Sequence, residues 1–207
     1  MQHPIVRFSL ALFVFYALFW GAQALFPGDA ADTVVVVLVT IVGVVLTQPG
    51  WNVRPSCPVR YWMVLLGVLL GSAVPAAYVL RLLKVSTPYD TMTLNSVILL
   101  PGVFAVAGLE ELLFRQVMFR WLEQQSIVGR GSVLATAIAF GCAHLGPVFT
   151  GGTIDGAFYL LQSLYMVWIG LLLGELRRAS DSWVISWIGH AGYNVAVLLL
   201  LSLQKEP

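Results

Sequence analysis

Two adjacent carboxylates, Glu110 and Glu111, stand in an otherwise apolar run that also carries Arg115. Two histidines follow further along, each beside small residues, in Phe140-Gly141-Cys142-Ala143-His144 and Gly189-His190-Ala191-Gly192-Tyr193-Asn194. A carboxylate, two imidazoles and an amide gathered in a dry cavity suit hydrolysis of an amide bond. A carboxylate stripped of its hydration becomes a better base towards water. A histidine beside Glu110 can share the proton and hold the water, and His190 with Asn194 can donate to the oxyanion of the tetrahedral intermediate. The sequence shows no Ser-His-Asp set and no His-Glu-x-x-His helix, so serine and zinc motifs of those kinds do not compete.

Spacing sorts these groups by face. Glu111 and Arg115 are four apart with the acid first, the favourable order for a helical ion pair. Glu110 lies about 100° round the helix and has no such local partner. Phe140 shares a face with His144, and His190 shares one with Asn194, and the small residues between them let a neighbouring helix or an extended peptide come close. Each feature has a plainer explanation. Glu111 and Arg115 can form a buried packing network, and a membrane histidine can simply bond to the next helix. That explanation is weakest for Glu110, because a charge inside a spanning segment is costly without a partner.

The elements that must position these groups are membrane helices. Of the 207 residues, 59% are hydrophobic and 10% charged, with a mean hydropathy of +0.87. A soluble domain carries about 25% charged residues to hydrate its surface. Roughly 20 apolar residues are needed to cross the hydrocarbon core. Candidate spans run over 5–26, 31–47, 61–82, 93–122, 132–149, 154–176 and 183–203. The expected fold is therefore all-α, a polytopic transmembrane bundle of about seven spanning helices. It forms one integral membrane domain over residues 1–207, with the chemistry in 102–201. The fourth span is too long to be straight and holds Pro101, so a kink there or an interfacial extension at its far end is expected. The first span competes with a secretory signal, since Arg7, the run 8–20 and Ala22-Gln23-Ala24 resemble one.

Charge placement sets an expected orientation. With the N-terminus inside, Arg7, Arg54, Arg60, Arg115, Arg120, Arg130, Arg177 and Arg178 fall on the cytoplasmic side. Only Arg81, Lys84 and Lys205 fall outside, as the positive-inside rule predicts. Measured from the inner helix ends, Glu110 lies about 16 Å deep, His144 about 18 Å and His190 about 10 Å, so the three can converge on one cavity. The expected partners are membrane lipid and a peptide or membrane-protein substrate. The net charge of +1 offers no basic patch for nucleic acid. Cys57 and Cys142 have neither a disulfide framework nor metal-site spacing.

Glu110-Glu111-x-x-x-Arg115, Phe140-x-x-x-His144 and His190-x-x-x-Asn194 resemble the three signature motifs of the CAAX protease and bacteriocin-processing family of intramembrane peptidases. This is the type II CAAX prenyl endopeptidase group. All three motifs match in the family's order on separate apolar segments, and the likeness covers residues 102–201. The resemblance implies proteolysis within the membrane. Glu110 would activate water with His144, while His190 and Asn194 support the oxyanion. Glu111, Arg115 and Phe140 would support the site. Glu110, His144 and His190 could also supply three ligands to Zn²⁺ and leave a fourth position for water; the same residues serve a metal-free glutamate base. The short loops suggest a bacterial cytoplasmic-membrane enzyme acting on a membrane tail or a leader peptide rather than a prenylated protein. The alternatives are a non-catalytic immunity or scaffold protein of the same fold, and a small transporter or proton channel, since intramembrane Glu and His also mark ion pathways.

Overall fold

Proline and small polar residues decide where these apolar runs bend. The computed structural model describes residues 37, 40, 41, 59–82, 100–145 and 156–203. Of the expected spans, 5–26 lies outside the described residues, and 31–47 is described only at three helical positions. Among the described residues the structure is helical, with no strand.

Helix α1 (Val59–Gly71) and helix α2 (Ala73–Leu82) meet at Ser72. Pro75 lacks the N–H that would bond back to Gly71, so the helix restarts with Pro75 in its first turn. The Ser72 hydroxyl donates to the Val68 carbonyl at 2.9 Å, the same carbonyl that accepts the Ser72 N–H at 3.0 Å. Helix α3 (Leu100–Glu111) passes into a π-helical stretch, Leu112–Met118, and then into helix α4 (Phe119–Gln124). Pro101 stands at the edge of the described residues, so the kink expected there lies outside them. Within the described part of this long segment the irregularity is the π-helical stretch that carries Arg115.

Helix α5 (Arg130–Ala143) follows a turn with Gly129 at φ 65°, a left-handed backbone that glycine adopts without strain. The expected span 132–149 is corrected here: α5 stops at Ala143, and His144 is its C-cap rather than an interior residue. The sequence supplies the reason in Gly146-Pro147, since proline disfavours helix at the residue before it. Helix α6 (Gly156–Ser180) runs four residues beyond the expected Leu176. It turns at Asp181-Ser182, where the Ser180 hydroxyl donates to the Leu176 carbonyl at 2.6 Å and accepts the Ser182 N–H at 3.2 Å. Helix α7 (Trp183–Leu203) matches its expected bounds.

Three helical stretches, Val59–Leu82, Phe158–Ser180 and Trp183–Leu203, are long and apolar enough to cross a membrane. Their outward faces carry Met63, Val64, Leu164, Trp168 and Leu199, all exposed. Apolar side chains of that size on the outside suit lipid, not water. The protein is an integral membrane protein.

One core joins α1, α2, α6 and α7 through Leu69, Ala73, Ile169, Leu173, Leu176 and Tyr193. A second, smaller core joins the π-helical stretch to α5 through Leu113, Phe114, Ala139 and Phe140. Among the described residues, the α5–α6 pair is the most closely packed. A Cβ on Gly170 would stand 2.9 Å from the Ala137 Cα, so only glycine lets α6 lie this close to α5. That closeness brings α5 and its histidine up to the carboxylates of α3.

Candidate active site

Arg115 owes its setting to the change in helix type. The Phe119 N–H closes on the Phe114 carbonyl, one residue further back than an α-helix would take it. The Arg115 carbonyl, its ordinary partner, is left free and accepts the Arg177 Nε at 3.1 Å. Arg177 is itself 1% exposed and is held through Nη1 to Asp181 at 2.8 Å. Asp181 also takes Arg120 at 3.1 Å, so the end of α6 holds both the π-helical stretch and the helix α4 that follows it.

The Arg115 side chain points into the bundle, fully buried. Its Nη2 donates to the Gly170 carbonyl at 3.1 Å, and its Nε lies 3.4 Å from Glu111 Oε2. Glu111 and Arg115 are held by charge at that distance, without a hydrogen bond between those two atoms. The guanidinium carbon stands 4.7 Å from the centre of the Phe140 ring, a cation–π contact.

Glu111 bridges two helices. Its other oxygen, Oε1, accepts the Nδ1–H of His190 at 3.1 Å. That bond leaves His190 Nε2 facing Glu110 Oε2 at 3.6 Å. His144 Nδ1 donates to the Phe140 carbonyl at 2.9 Å, an end-of-helix acceptor that would otherwise lack a partner. Both imidazoles therefore have Nδ1 anchored and Nε2 turned to the site. Phe140 packs edge-on against both, with ring centres 4.9 Å from His144 and 5.5 Å from His190, and against Phe114 at 5.3 Å.

The expected convergence of α3, α5 and α7 is thus present for Glu110, Glu111, Arg115, Phe140, His144 and His190. Within the cluster the short imidazole contact of Glu110 is with His190, while His144 is close enough to feel its charge. The Glu110 side chain keeps 24% exposure against 0% for Glu111, so the carboxylate open to a substrate is Glu110. Asn194 lies one turn beyond His190 on α7, half-buried, and faces a cavity of about 240 Å³ between α2, α6 and α7.

Zinc calls for three donors around one point. The free Nε2 atoms suit that role, since a ligating histidine commonly donates its other N–H to a carboxylate or carbonyl. Yet among the described residues no three His, Cys, Asp or Glu side chains come close enough together to hold a metal ion. Glu110, His144 and His190 as arranged do not form a ligand set, and no step is derived through a metal.

Sequence reasoning missed Gly170 and Arg177, both of which hold Arg115 in place. Arg177 carries a readable signal, as a second arginine in the last turn of an apolar helix. Gly170 carries none, because a carbonyl acceptor has no side chain to announce it.

The fold and the cluster define a helical membrane protein with a carboxylate–imidazole site inside the bundle. Residues 92–196 match the model of the type II CAAX prenyl endopeptidase Rce1-like family, and the chain belongs to that family, a family of proteases. No match was found among curated proteins or among solved structures.

Proposed function

We propose that this protein is an intramembrane endopeptidase that hydrolyses a peptide bond at or near the membrane, with Glu110 as the base that activates water. The observation that carries the reading is the assembly of Glu110, Glu111 and Arg115 from one helical segment with His144 and His190 from two others around the single ring of Phe140.

The steps follow from the groups present. Glu110 takes a proton from water, and the oxygen adds to the carbonyl carbon. The carbonyl oxygen gains negative charge, which the Asn194 amide and the His190 imidazole stabilise. Glu111, with Arg115 behind it, fixes the His190 ring by accepting its Nδ1–H at 3.1 Å. The carbon–nitrogen bond then breaks as Glu110 returns its proton to the leaving amine. His144 holds the water through Nε2, since its Nδ1 is committed to the Phe140 carbonyl. Glu111, Arg115 and Phe140 act as positioning residues.

The substrate we assign is a membrane-associated tail or leader of another protein, cut in a bacterial cytoplasmic membrane with the N-terminus of this chain inside. Mass spectrometry of protein termini in cells carrying wild type or Glu110→Ala tests this. Termini present only with wild type are expected. Identical sets, with both proteins equally abundant, would overturn the peptidase reading.

A further inference from the structure

The cavity between α2, α6 and α7 is almost entirely apolar, with Ala76, Val79, Leu161, Met166 and Val197 among its walls. Four side chains break that pattern: the hydroxyl of Tyr165, which donates to the Ser72 carbonyl, the hydroxyl of Tyr193, and two primary amides. Gln162 of α6 and Asn194 of α7 both line it, and each primary amide offers one acceptor and two donors. A ligand matched to such a lining has an apolar body and a group with both an N–H and a C=O.

Size narrows the choice. A cavity of roughly 150 Å³ lined by apolar residues holds benzene, so at the same density about 240 Å³ holds about ten carbon atoms. That is room for one large side chain. Position narrows it again. Asn194 is one helical turn from His190, and Met166 packs both against the α1–α6–α7 core and against the Phe114–Phe140 core. The cavity is therefore separated from the Phe140 ring and its two histidines by a single side chain.

We infer that this cavity is a specificity pocket for one large apolar side chain next to the cleaved bond, with Gln162 holding the adjoining peptide group. The inference rests on the peptidase reading of the neighbouring cluster and supplies its substrate preference. Asn194 reaches the carbonyl that is attacked, Gln162 the next amide along, and the walls take the side chain between them. Cleavage then falls beside leucine, methionine or phenylalanine rather than beside glycine or serine.

Binding tests this without catalysis. The purified full chain in detergent is irradiated with an N-acetyl, N-methylamide leucine analogue that carries a diazirine, and the labelled residues are mapped by mass spectrometry. Adducts are expected on the α6 and α7 lining, in wild type and in Glu110→Ala alike. N-acetyl-leucine methylamide should compete and N-acetyl-glycine methylamide should not. Ala76→Phe, which fills the pocket, should lower the yield about ten-fold, the scale of a lost pocket contact. Gln162→Leu should weaken capture of this probe and leave an alkyl diazirine without a peptide group unaffected, a split that mere misfolding would not produce. Labelling spread over the lipid-facing helices, competition by the glycine compound, or equal loss of both probes in Gln162→Leu would each overturn the pocket. Capture with the expected selectivity but no difference in cellular termini would instead remove the peptidase reading and leave the pocket standing.

Discussion

Exchanging Glu111 for glutamine removes one charge and almost no volume, and it should be among the costlier single changes in this protein. Glu111 and Arg115 are both 0% exposed, with Nε and Oε2 at 3.4 Å. At that distance and an effective dielectric of 20, their attraction is about 5 kcal/mol. Breaking a buried pair by removing one partner costs about 3–5 kcal/mol, because the other charge stays buried without compensation. The hydrogen bond from His190 Nδ1 survives, since the glutamine oxygen still accepts it. Scaled as for a domain of this length, the loss corresponds to a fall in Tm of about 10 °C. Removing both charges, in Glu111→Gln with Arg115→Met, should cost less than Glu111→Gln alone, since no orphaned cation remains. Thermal unfolding of the detergent-purified variants, followed by tryptophan fluorescence, reads both values. A fall of under about 2 °C for the single variant, or a double variant less stable than the single, would show that this pair does not carry the electrostatic load assigned to it.

Glu110→Gln should lower cleavage by about a hundred-fold or more while leaving Tm nearly unchanged, since a general base contributes 10²–10⁴ and this side chain is partly exposed; comparable activity in that variant would remove Glu110 as the base. Asn194→Leu should reduce kcat by about 10²-fold with KM little changed, as loss of one oxyanion donor does, and a pure KM effect would assign Asn194 to binding alone. Phe140→Ala should cost about 3–5 kcal/mol by thermal unfolding and abolish cleavage with it, because the same ring supports both imidazoles and the guanidinium. Gly170→Val should destabilise by about 1–3 kcal/mol, since its Cβ meets Ala137 at 2.9 Å, whereas a neutral outcome would mean that α6 can shift away freely.

The membrane class, the apolar helices and the acids and imidazoles that the bundle gathers were readable in the chain, for reasons that are local. An apolar run of sufficient length has one stable environment, and an acid or imidazole inside such a run stands out against it. Spacing alone paired Glu111 with Arg115, and the structure keeps that pair. The start of α7 at Trp183 was legible to the residue. Other features escaped. His144 was expected inside a helix and caps it instead, because the Gly146-Pro147 break acts several residues upstream of itself. The π-helical stretch Leu112–Met118 was not foreseen, since its sequence contains no breaker.

What the sequence determined by itself, then, was the solvent and the candidates: lipid outside, and seven polar or aromatic groups on three helical segments. Hydropathy and helical period are sums over neighbours in the chain, so they need no fold to be evaluated. Which groups touch was decided by tertiary structure. The α5–α6 approach at Gly170, the carbonyl freed by the π-helical stretch and taken by Arg177, and the turn of Glu110 towards His190 all depend on backbones distant in sequence. Contacts of that kind are set by how closely two helices can approach, and only the packed bundle fixes that distance.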